Sequence, residues 1–385
     1  MTTTRPSAQE TPVSTTSTAP LKVGIVGGGF MASTHARAAR AAGAEIVTLM
    51  SSDPDRSSEA AAKLGIPHAS SSIEELLDRV DVVHVCSPNA VHAAQARAAL
   101  NAGKHVVCEK PLATGREEAG ELSELAARTG LTATVPFVYR FHPMARQARH
   151  QAADDGIGRL LTVRGNYLQD WMLCDQETNW RVDPVSGGPS RAFGDIGSHL
   201  VDLLEFVSGE RIARVNARLG IAHPTRGGEV VETEDSAVCI VEMAGGAIGS
   251  LMVSQVDAGR KNALMLEIAG TRGSVVFDQE HPDELWLGGR AGSTILARDA
   301  PQLVPDAQRL STVPAGHPMG YREAFAAFIA DTYDHIGGGS PAGMPTFADG
   351  LRASIITDAV LASAATGQWV DVSSVTDHPA VQHSL

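Results

Sequence analysis

A glycine-rich turn between a strand-like run and a helix start constrains the fold of this chain more than any other stretch. Residues 23–35 read V-G-I-V-G-G-G-F-M-A-S-T-H, so an apolar run rich in β-branched residues ends in three glycines. The spacing Gly27-x-Gly29-x-x-Ala32 matches the alanine-ended form of a dinucleotide-binding fingerprint. Glycine lets the backbone approach a pyrophosphate, and the following helix N-terminus offers free N–H groups to phosphate. The stretch therefore predicts a dinucleotide site, while a purely structural turn is the alternative.

Composition limits the classes of protein and partner. The 385 residues favour two domains of roughly 100–200 residues each, and no apolar run approaches the roughly 20 residues that span a membrane. The formal net charge of −13 argues against nucleic acid or an anionic membrane as the main partner. Four cysteines without metal-ligand spacing favour reduced thiols in a cytoplasmic protein. Residues 1–20, rich in Thr, Ser and Pro, are expected to form a disordered tail.

Strand-like and helical stretches alternate from residue 21 to 139. The predicted strands lie at 45–50, 67–69, 80–86, 105–108 and 132–135, and the predicted helices at 56–64, 73–77, 90–101 and 113–129. Such alternation indicates βαβ units and a doubly wound parallel sheet, in which ligands bind beyond the carboxyl ends of the strands. Polar groups stand at three of those ends: Ser51-Ser52, Ser87-Pro88-Asn89 and Glu109-Lys110-Pro111.

The pattern changes after about residue 140. Predicted strands lie at 160–167, 212–219, 237–242, 247–256, 264–269 and 274–278, and predicted helices at 197–207, 322–335 and 347–365. Short Gly-bearing turns between consecutive strands favour a mostly antiparallel sheet in an α+β domain. Residues 290–317, rich in Pro and Gly, are expected to form a long surface excursion.

The end of the second strand bears on cofactor choice. An acid at this position hydrogen-bonds the ribose hydroxyls in many NAD-binding proteins. Here Ser51 and Ser52 occupy it, with Arg56 shortly after, and hydroxyls beside a cation suit a 2′-phosphate. The sequence therefore predicts NAD or NADP, with a slight preference for NADP. The alternative is that Asp53 or Asp55 serves NAD.

Two further groups suit proton and hydride chemistry. Lys110 follows a buried strand, where its ammonium can polarise a hydroxyl or carbonyl; the alternative is a surface lysine in a turn. Asp195 and His199 lie one helical turn apart, and histidine suits a base that removes a hydroxyl proton. The alternatives are an N-capping aspartate with a core histidine, or two metal ligands, for which no third ligand stands at matching spacing.

Taken together, six groups of residues resemble the glucose–fructose oxidoreductase / inositol dehydrogenase / rhizopine-catabolism (Gfo/Idh/MocA) oxidoreductase family. The resemblance covers roughly residues 21–372. The groups are Gly27-Gly28-Gly29-Phe30-Met31-Ala32, Ser87-Pro88-Asn89-Ala90-Val91-His92, G-K-H-V-V-C-E-K-P-L at 103–112, Tyr139-Arg140-Phe141, Trp180-Arg181 and Asp195-Ile196-Gly197-Ser198-His199.

The resemblance implies an α/β fold: an N-terminal Rossmann domain followed by an α+β domain with a large, mostly antiparallel sheet. The expected division is a tail at 1–20, a dinucleotide-binding domain at 21–139, a substrate-binding and oligomerisation domain at 140–372 and a C-terminal tail at 373–385. It also implies NAD(P)-dependent redox chemistry on a sugar, inositol or related polyol, in a homo-oligomer (a dimer or tetramer).

The resemblance also assigns roles to residues. His199 would be the acid/base, Lys110 would lower the cost of alkoxide charge, and Asp195 would bind substrate. The cofactor-binding set is Gly27, Gly29, Phe30, Met31, Ser51, Ser52, Arg56, Ser87, Asn89, His92, Glu109, Lys110, Trp180 and Arg181. Within it, Ser51, Ser52 and Arg56 come from the end of the second strand, where the chain departs from the acid common in NAD-specific members. The substrate-binding set is Lys110, Tyr139, Gln169, Asp195, His199 and Tyr321. Gln169 comes from the polar and aromatic residues that follow the predicted strand at 160–167, for which an ordinary solvent-facing strand end is the alternative. His317 is a further candidate for closing the substrate pocket.

Three functions follow from this pattern. The first is an NAD(P)-dependent sugar or polyol dehydrogenase or reductase. The second keeps the cofactor but is redox-neutral, as in an NAD-dependent glycosidase that oxidises, eliminates and re-reduces. The third is a non-catalytic sensor that binds dinucleotide, although the presence of Lys110 and His199 disfavours it.

Overall fold

The computed structural model describes residues 19–153, 156–299, 301 and 303–372. Apart from residues 19 and 20, the tails expected at 1–20 and 373–385 lie outside the described residues. Within the described ranges, none of the helices combines the length and apolar character needed to cross a bilayer.

In the described residues, six strands form an all-parallel sheet in the order β3-β2-β1-β4-β5-β6. The strands are β1 (Lys22–Val26), β2 (Glu45–Met50), β3 (His68–Ala69), β4 (Val82–Val85), β5 (His105–Cys108) and β6 (Ala133–Thr134). The helices between them are α1 (Phe30–Ala41), α2 (Pro54–Leu64), α3 (Ile73–Leu77), α4 (His92–Asn101) and α5 (Arg116–Thr129). β1, β4 and β5 are almost fully buried, which explains their continuous apolar runs. The predicted Rossmann topology is confirmed.

A larger sheet follows, and in the described ranges it has nine strands in the order β16-β15-β14-β13-β7-β12-β11-β8-β17. Its neighbours pair antiparallel except β7 and β12, which run parallel. Its strands are β7 (Leu160–Leu168), β8 (Ile212–Gly220), β11 (Ser236–Met243), β12 (Ile248–Ser254), β13 (Ala263–Gly270), β14 (Ser274–Asp278), β15 (Glu284–Gly289), β16 (Gly292–Ala297) and β17 (Val370–Asp371). A short hairpin pairs β9 (Thr225–Arg226) with β10 (Glu229–Val230). The prediction of a large, mostly antiparallel sheet is confirmed.

Helices α6 (Pro143–Ala152), α8 (Ser198–Ser208) and α11 (Phe347–Thr366) pack on one face of this large sheet. The other helices in this part of the chain are α7 (Pro184–Gly187), α9 (Pro305–Leu310) and α10 (Tyr321–Ile336). The alternation along β11 shows why only one face is covered: Ala237, Cys239 and Val241 are buried against the helices, whereas Val238 and Ile240 are exposed.

Two of these late helices pack on the parallel sheet. Phe325 and Phe328 of α10 lie in the same apolar cluster as Ala32 and Ala36 of α1. Phe347, at the start of α11, lies in the cluster of α4 and α5. The C-terminal part of the chain therefore helps to build the core beside the glycine turn.

The expectation of a long surface excursion at 290–317 is wrong in part. Residues 292–297 form the edge strand β16, and 305–310 form α9, which packs on α6. Ala307 and Leu310 are buried. The Gly, Ser and Thr residues of an exposed edge strand resemble a loop in sequence, which explains the error.

Candidate functional site

A cleft of about 1080 Å³ extends along the ends of β1, β2, β4 and β5. Its other side is bordered by Asn179, Trp180, Arg181, Ser186 and Asp195. The residues predicted to bind cofactor all line this cleft: Gly27, Gly29, Phe30, Met31, Ser51, Ser52, Arg56, Ser87, Asn89, His92, Glu109, Lys110, Trp180 and Arg181. The structure thus brings together groups that are up to 154 positions apart, from Gly27 to Arg181. Their roles in binding remain proposals.

The glycine turn is shaped by close backbone approach. Gly27 has a φ of +116°, and a Cβ there would lie 2.6 Å from the carbonyl oxygen of Cys86 at the end of β4. At Gly28 a Cβ would meet Ala60 at 2.9 Å, whereas Gly29 faces open space at the N-cap of α1. Because Gly29 has no side chain, the first backbone N–H groups of α1 are accessible from the cleft at this point. This arrangement fits a pyrophosphate.

At the end of β2 the polar groups are organised around a helix cap. Asp53 accepts a hydrogen bond from the backbone N–H of Arg56 at 2.8 Å and from the Ser52 hydroxyl at 3.0 Å. The Arg56 guanidinium donates to Ser52 Oγ at 3.3 Å. In the described part of the chain, Ser51, Ser52 and Arg56 line the cleft, but Asp53 does not. Asp53 therefore acts as the N-cap of α2.

Lys110 and Asp195 form an ion pair between the two parts of the chain. Lys110 Nζ donates to Asp195 Oδ1 at 2.6 Å and to the Asp195 carbonyl at 2.9 Å, and both side chains are nearly buried. Gln255 Nε2 donates to Asp195 Oδ2 at 2.9 Å. Burial raises the pKa of Asp195, but the charges of Lys110 and Arg181 outweigh it and hold that pKa below its usual range.

Asp195 lies in a single π-helical turn, Phe193–Gly197, that leads into α8. Such turns widen the backbone locally and often occur at functional sites. Asp195 and His199 line the same cavity, as their predicted spacing suggested. The alternative in which Asp195 caps the helix is wrong, because its carboxylate binds Lys110 and Gln255 and the N-cap of α8 is Gly197.

His199 lies in an apolar, aromatic setting. Its ring meets the edges of Phe137 and Tyr139, with centroids 5.8 and 5.1 Å apart. Burial and then the charge of Lys110 lower its pKa to about 3. Its Nδ1 is buried and has no partner within the described residues, unlike a satisfied core histidine. The imidazole is thus neutral and retains hydrogen-bonding capacity.

A second cavity of about 330 Å³ joins these groups to a set of hydroxyls and amides. Tyr139 Oη lies 2.5 Å from Tyr167 Oη, which donates to Asn262 Oδ1 at 2.6 Å. Gln169 Nε2 also donates to Asn262 Oδ1, at 2.9 Å. Tyr321 completes the wall. The predicted substrate residues Tyr139, Gln169 and Tyr321 therefore line the cavity together with Lys110, Asp195 and His199.

Some predicted residues have protein partners of their own. Both ring nitrogens of His92 lie 2.8 Å from carbonyl oxygens, those of Pro111 and Ser87, so the ring holds these two strand-end loops together. Asn89 Nδ2 donates to the carbonyl of Gly187 at 2.8 Å and ties the cleft wall to α7. His317 lines neither cavity; its carbonyl accepts from Arg298 near β16. Its expected role in closing the pocket is wrong.

Two residues of the site, Asn262 and Gln255, were not identified from the sequence. Both are polar residues at strand ends, Gln255 directly after β12 and Asn262 directly before β13. The same pattern, a polar residue at a strand end, predicted Gln169 after β7. If every strand of the large sheet is searched for this pattern, Gln255 and Asn262 are identified as well.

Comparison with known proteins gives consistent matches. Residues 21–137 match a model described as an oxidoreductase family with an NAD-binding Rossmann fold, and residues 145–276 match a GFO/IDH/MocA C-terminal domain. A levoglucosan dehydrogenase of Pseudarthrobacter phenanthrenivorans is 33% identical over 92% of this chain and 99% of its own length.

Solved structures agree over nearly the whole described chain. A levoglucosan dehydrogenase in complex with NADH and levoglucosan superposes with a TM-score of 0.85 at 32% identity, covering 92% of this chain and 99% of that one. An inositol dehydrogenase homologue from Azotobacter vinelandii in complex with NAD⁺ gives 0.82 at 30% identity, covering 91% and 97%.

Proposed function

The chain belongs to the Gfo/Idh/MocA family of oxidoreductases, and on that premise we propose that it transfers a hydride between the nicotinamide of NAD or NADP and a carbinol or carbonyl carbon of a sugar, cyclitol or related polyol. The main support for this proposal is the ion pair between Lys110 and Asp195. These two side chains and His199 line one cavity, and Lys110 and Asp195 also line the cleft of the glycine turn.

His199, Lys110 and the aromatic side chains around His199 have separate roles in the proposed reaction. A nicotinamide cofactor bound in the cleft supplies the hydride acceptor or donor. His199 takes the proton of the reacting hydroxyl, because its neutral ring lines the same cavity as Lys110 and Asp195. The Lys110 ammonium stabilises negative charge on the substrate oxygen, and its contact with Asp195 fixes its position. The aromatic walls around His199 exclude water from the reacting atoms.

The substrate is proposed to be a compact ring with several hydroxyls. The hydroxyls of Tyr139 and Tyr167 and the amides of Gln169 and Asn262 offer both donors and acceptors within one small cavity. The similar levoglucosan dehydrogenase makes this anhydrosugar the first substrate to test.

A panel of monosaccharides, anhydrosugars, cyclitols and simple glycosides, each incubated with NAD⁺ and with NADP⁺, tests the proposal. The expected result is reduced nicotinamide that accumulates in proportion to product with at least one member of the panel. A redox-neutral glycosidase would instead cleave a glycoside without net reduction, and a sensor would bind cofactor without turnover. Either of these results across the panel contradicts the proposal.

For the cofactor, we propose that NADP is preferred over NAD. Supporting this, Ser51, Ser52 and Arg56 face the cleft at the end of β2, whereas Asp53 is engaged as a helix cap. The 72% exposed Arg56 side chain can reach a 2′-phosphate in the cleft.

Arg56→Ala tests this preference. The variant is expected to lose about tenfold in kcat/KM with NADP and to change little with NAD, because only NADP carries the phosphate. Arg37→Ala on α1, outside the cleft lining, is the control. Equal losses with both cofactors, or no loss with NADP, would refute the assignment.

A further inference from the structure

Three side chains in the wall of the second cavity form a closed ring of hydrogen bonds. Tyr139 Oη lies 2.5 Å from Tyr167 Oη, which donates to Asn262 Oδ1 at 2.6 Å, and Asn262 Nδ2 donates back to Tyr139 Oη at 3.2 Å. Tyr139 and Tyr167 are only 4% and 3% exposed, and all three side chains line the cavity. The hydride and proton transfers proposed above use none of them.

A neighbouring tryptophan determines which atom of Asn262 faces which tyrosine. Trp171 Nε1–H can only donate, and it donates to Gln169 Oε1 at 2.8 Å. The other end of this amide, Gln169 Nε2, therefore faces Asn262 and donates to its Oδ1 at 2.9 Å. Because an amide oxygen only accepts, the Tyr167 hydroxyl must also donate to Oδ1. The Nδ2 group is then left to donate to Tyr139.

Both hydroxyl protons of the pair are therefore used inside the ring. A tyrosine hydroxyl carries one proton. Tyr167 gives its proton to Asn262, so Tyr139 is the donor in the contact between the two tyrosine oxygens. If the amide of Asn262 were turned over, Tyr139 would donate to Asn262 and Tyr167 would donate to Tyr139, and again no proton would point outward. In either direction, the two oxygens can only accept a hydrogen bond from a bound molecule.

The tyrosine pair lies beside the reacting centre. The ring centroids of Tyr139 and Tyr167 are 5.1 and 6.5 Å from that of His199. Burial raises the pKa of both hydroxyls, and the negative charge of Asp195 also raises the pKa of each. Both tyrosines therefore keep their protons, and a substrate that contacts His199 and Lys110 shares its cavity with their oxygens.

We propose that Tyr139 and Tyr167 form an acceptor-only pair that determines which substrates bind, and that Asn262 is the positioning residue that holds the pair in this state. The pair accepts hydrogen bonds from hydroxyl groups of the substrate other than the reacting one, and it takes no part in proton transfer. An ether oxygen, a carbonyl or a fluorine at the same place has no proton to give and meets the lone pairs of the two tyrosine oxygens. The inference rests on the proposed dehydrogenase function and adds the direction of the hydrogen bonds that recognise the substrate hydroxyls.

A series of substrate analogues tests the direction of these hydrogen bonds. Each hydroxyl of the best sugar of the panel, apart from the reacting one, is replaced in turn by hydrogen and by fluorine. Hydrogen removes both roles of the hydroxyl, whereas fluorine can only accept. At one or more positions, we expect the two replacements to lower kcat/KM of the wild type alike, by about tenfold or more, because neither can donate to the pair.

Tyr167→Phe gives a readout that a purely structural role would not produce. The variant removes the acceptor of the Tyr139 proton, which becomes free to donate into the cavity. At the sensitive positions, the fluorine analogue should then exceed the hydrogen analogue in kcat/KM by about threefold or more. Tyr139→Phe leaves Tyr167 donating to Asn262, so the fluorine and hydrogen analogues should remain equal in that variant.

The matched control is Tyr333→Phe. Tyr333 is another nearly buried tyrosine, its Oη lies 2.9 Å from His84 Nε2, and it lies outside the described linings of the cleft and of the second cavity. This variant should keep the wild-type response to both replacements. Fluorine that outperforms hydrogen in the wild type at every sensitive position, or a Tyr167→Phe variant that responds like the wild type, would overturn the proposal. So would a wild type that tolerates the loss of every hydroxyl other than the reacting one.

A second measurement does not depend on turnover. Neutron diffraction from the perdeuterated protein without sugar should show the Tyr139 deuterium directed at Tyr167 Oη and the Tyr167 deuterium directed at Asn262 Oδ1. A deuterium of either tyrosine that points into the cavity overturns the acceptor-only pair. If no sugar of the panel is oxidised while both deuterium atoms lie inside the ring, the proposed reaction fails and the acceptor-only state of the pair is supported.

Discussion

At the scale of single residues, the proton affinity of His199 is the property most altered by the fold. Burial and the nearby Lys110 lower its pKa from 6.5 to about 3. A general base works when it is unprotonated, and His199 is unprotonated above its pKa. We therefore expect kcat/KM for substrate oxidation to show no loss between pH 7 and pH 5 from protonation of this residue.

A pH profile of kcat/KM with the preferred sugar measures the acid limb, which is the fall in activity as His199 becomes protonated. Its acid midpoint should lie well below 6.5, and His199→Gln should lower kcat by about 100-fold because general-base assistance is lost. An acid limb centred near 6.5 in the wild type would show that the imidazole is not shielded as described.

Sequence reasoning located residues of the site but not their contacts. Lys110, Asp195 and His199, which line one cavity, could be located because each stands at a strand end or on a helix start and matches a family motif. The partnership of Gln255 with Asp195 could not, because it depends on how the end of β12 sits against a π-helical turn. The pairing of Tyr167 with Asn262 likewise depends on the register between β7 and β13.

At the scale of elements, Arg140 joins three segments that support the site. In the short helical turn Val138–Phe141 it donates to Asp202 of α8 through two nitrogens and to Asp349 of α11 at 2.8 Å. All three side chains are nearly buried. Removing one partner of a buried ion pair leaves the others without compensation, which is more costly than losing an exposed pair.

Arg140→Leu is therefore expected to lower the free energy of unfolding by about 3–5 kcal/mol, measured by urea denaturation. Arg97→Leu is the control, since Arg97 pairs with Glu121 on the surface and should cost at most about 1 kcal/mol. Similar losses in the two variants would contradict the role of Arg140 as a buried link.

The elements themselves were predicted to different degrees. β2, α3, β5 and β14 have the predicted bounds, because apolar runs between turn residues mark their ends. Helix α6 was missed, since its buried face includes Arg146, whose guanidinium is covered by the Phe141 and Phe206 rings. The packing of α10 on α1 is a contact between residues far apart in the chain, so a local sequence pattern does not predict it.

At the scale of the whole molecule, one face of the large sheet carries an apolar patch that none of the described residues covers. Val238 and Ile240 of β11 and Ile248 and Met252 of β12 are 39–59% exposed, and Val238 pairs directly with Met252 across the strands. Contiguous apolar surface on a soluble domain marks an interface. We propose that this face joins copies of the chain into a dimer or tetramer.

Ile240→Glu combined with Ile248→Glu should convert the oligomer to a monomer in sedimentation velocity, because charges would be buried at the interface. Val230→Glu, an exposed position on the β9–β10 hairpin, is the control and should keep the wild-type mass. A monomeric wild type, or an unchanged mass in the double variant, would contradict the proposed interface.

At the scale of the whole molecule, the proposed cofactor cleft and the proposed polyol cavity meet at Lys110, which lines both. Lys110→Met keeps the length of the side chain but removes the ammonium that pairs with Asp195. Lys63→Met, an exposed position on α2, is the matched control.

The most direct measurement compares turnover and cofactor binding in Lys110→Met and the wild type, with the best sugar of the panel. The predicted result is a fall in kcat of about 10²–10³-fold or more with cofactor affinity largely retained, because Lys110 stabilises charge on the reacting oxygen. Turnover near the wild-type level in Lys110→Met would contradict the account.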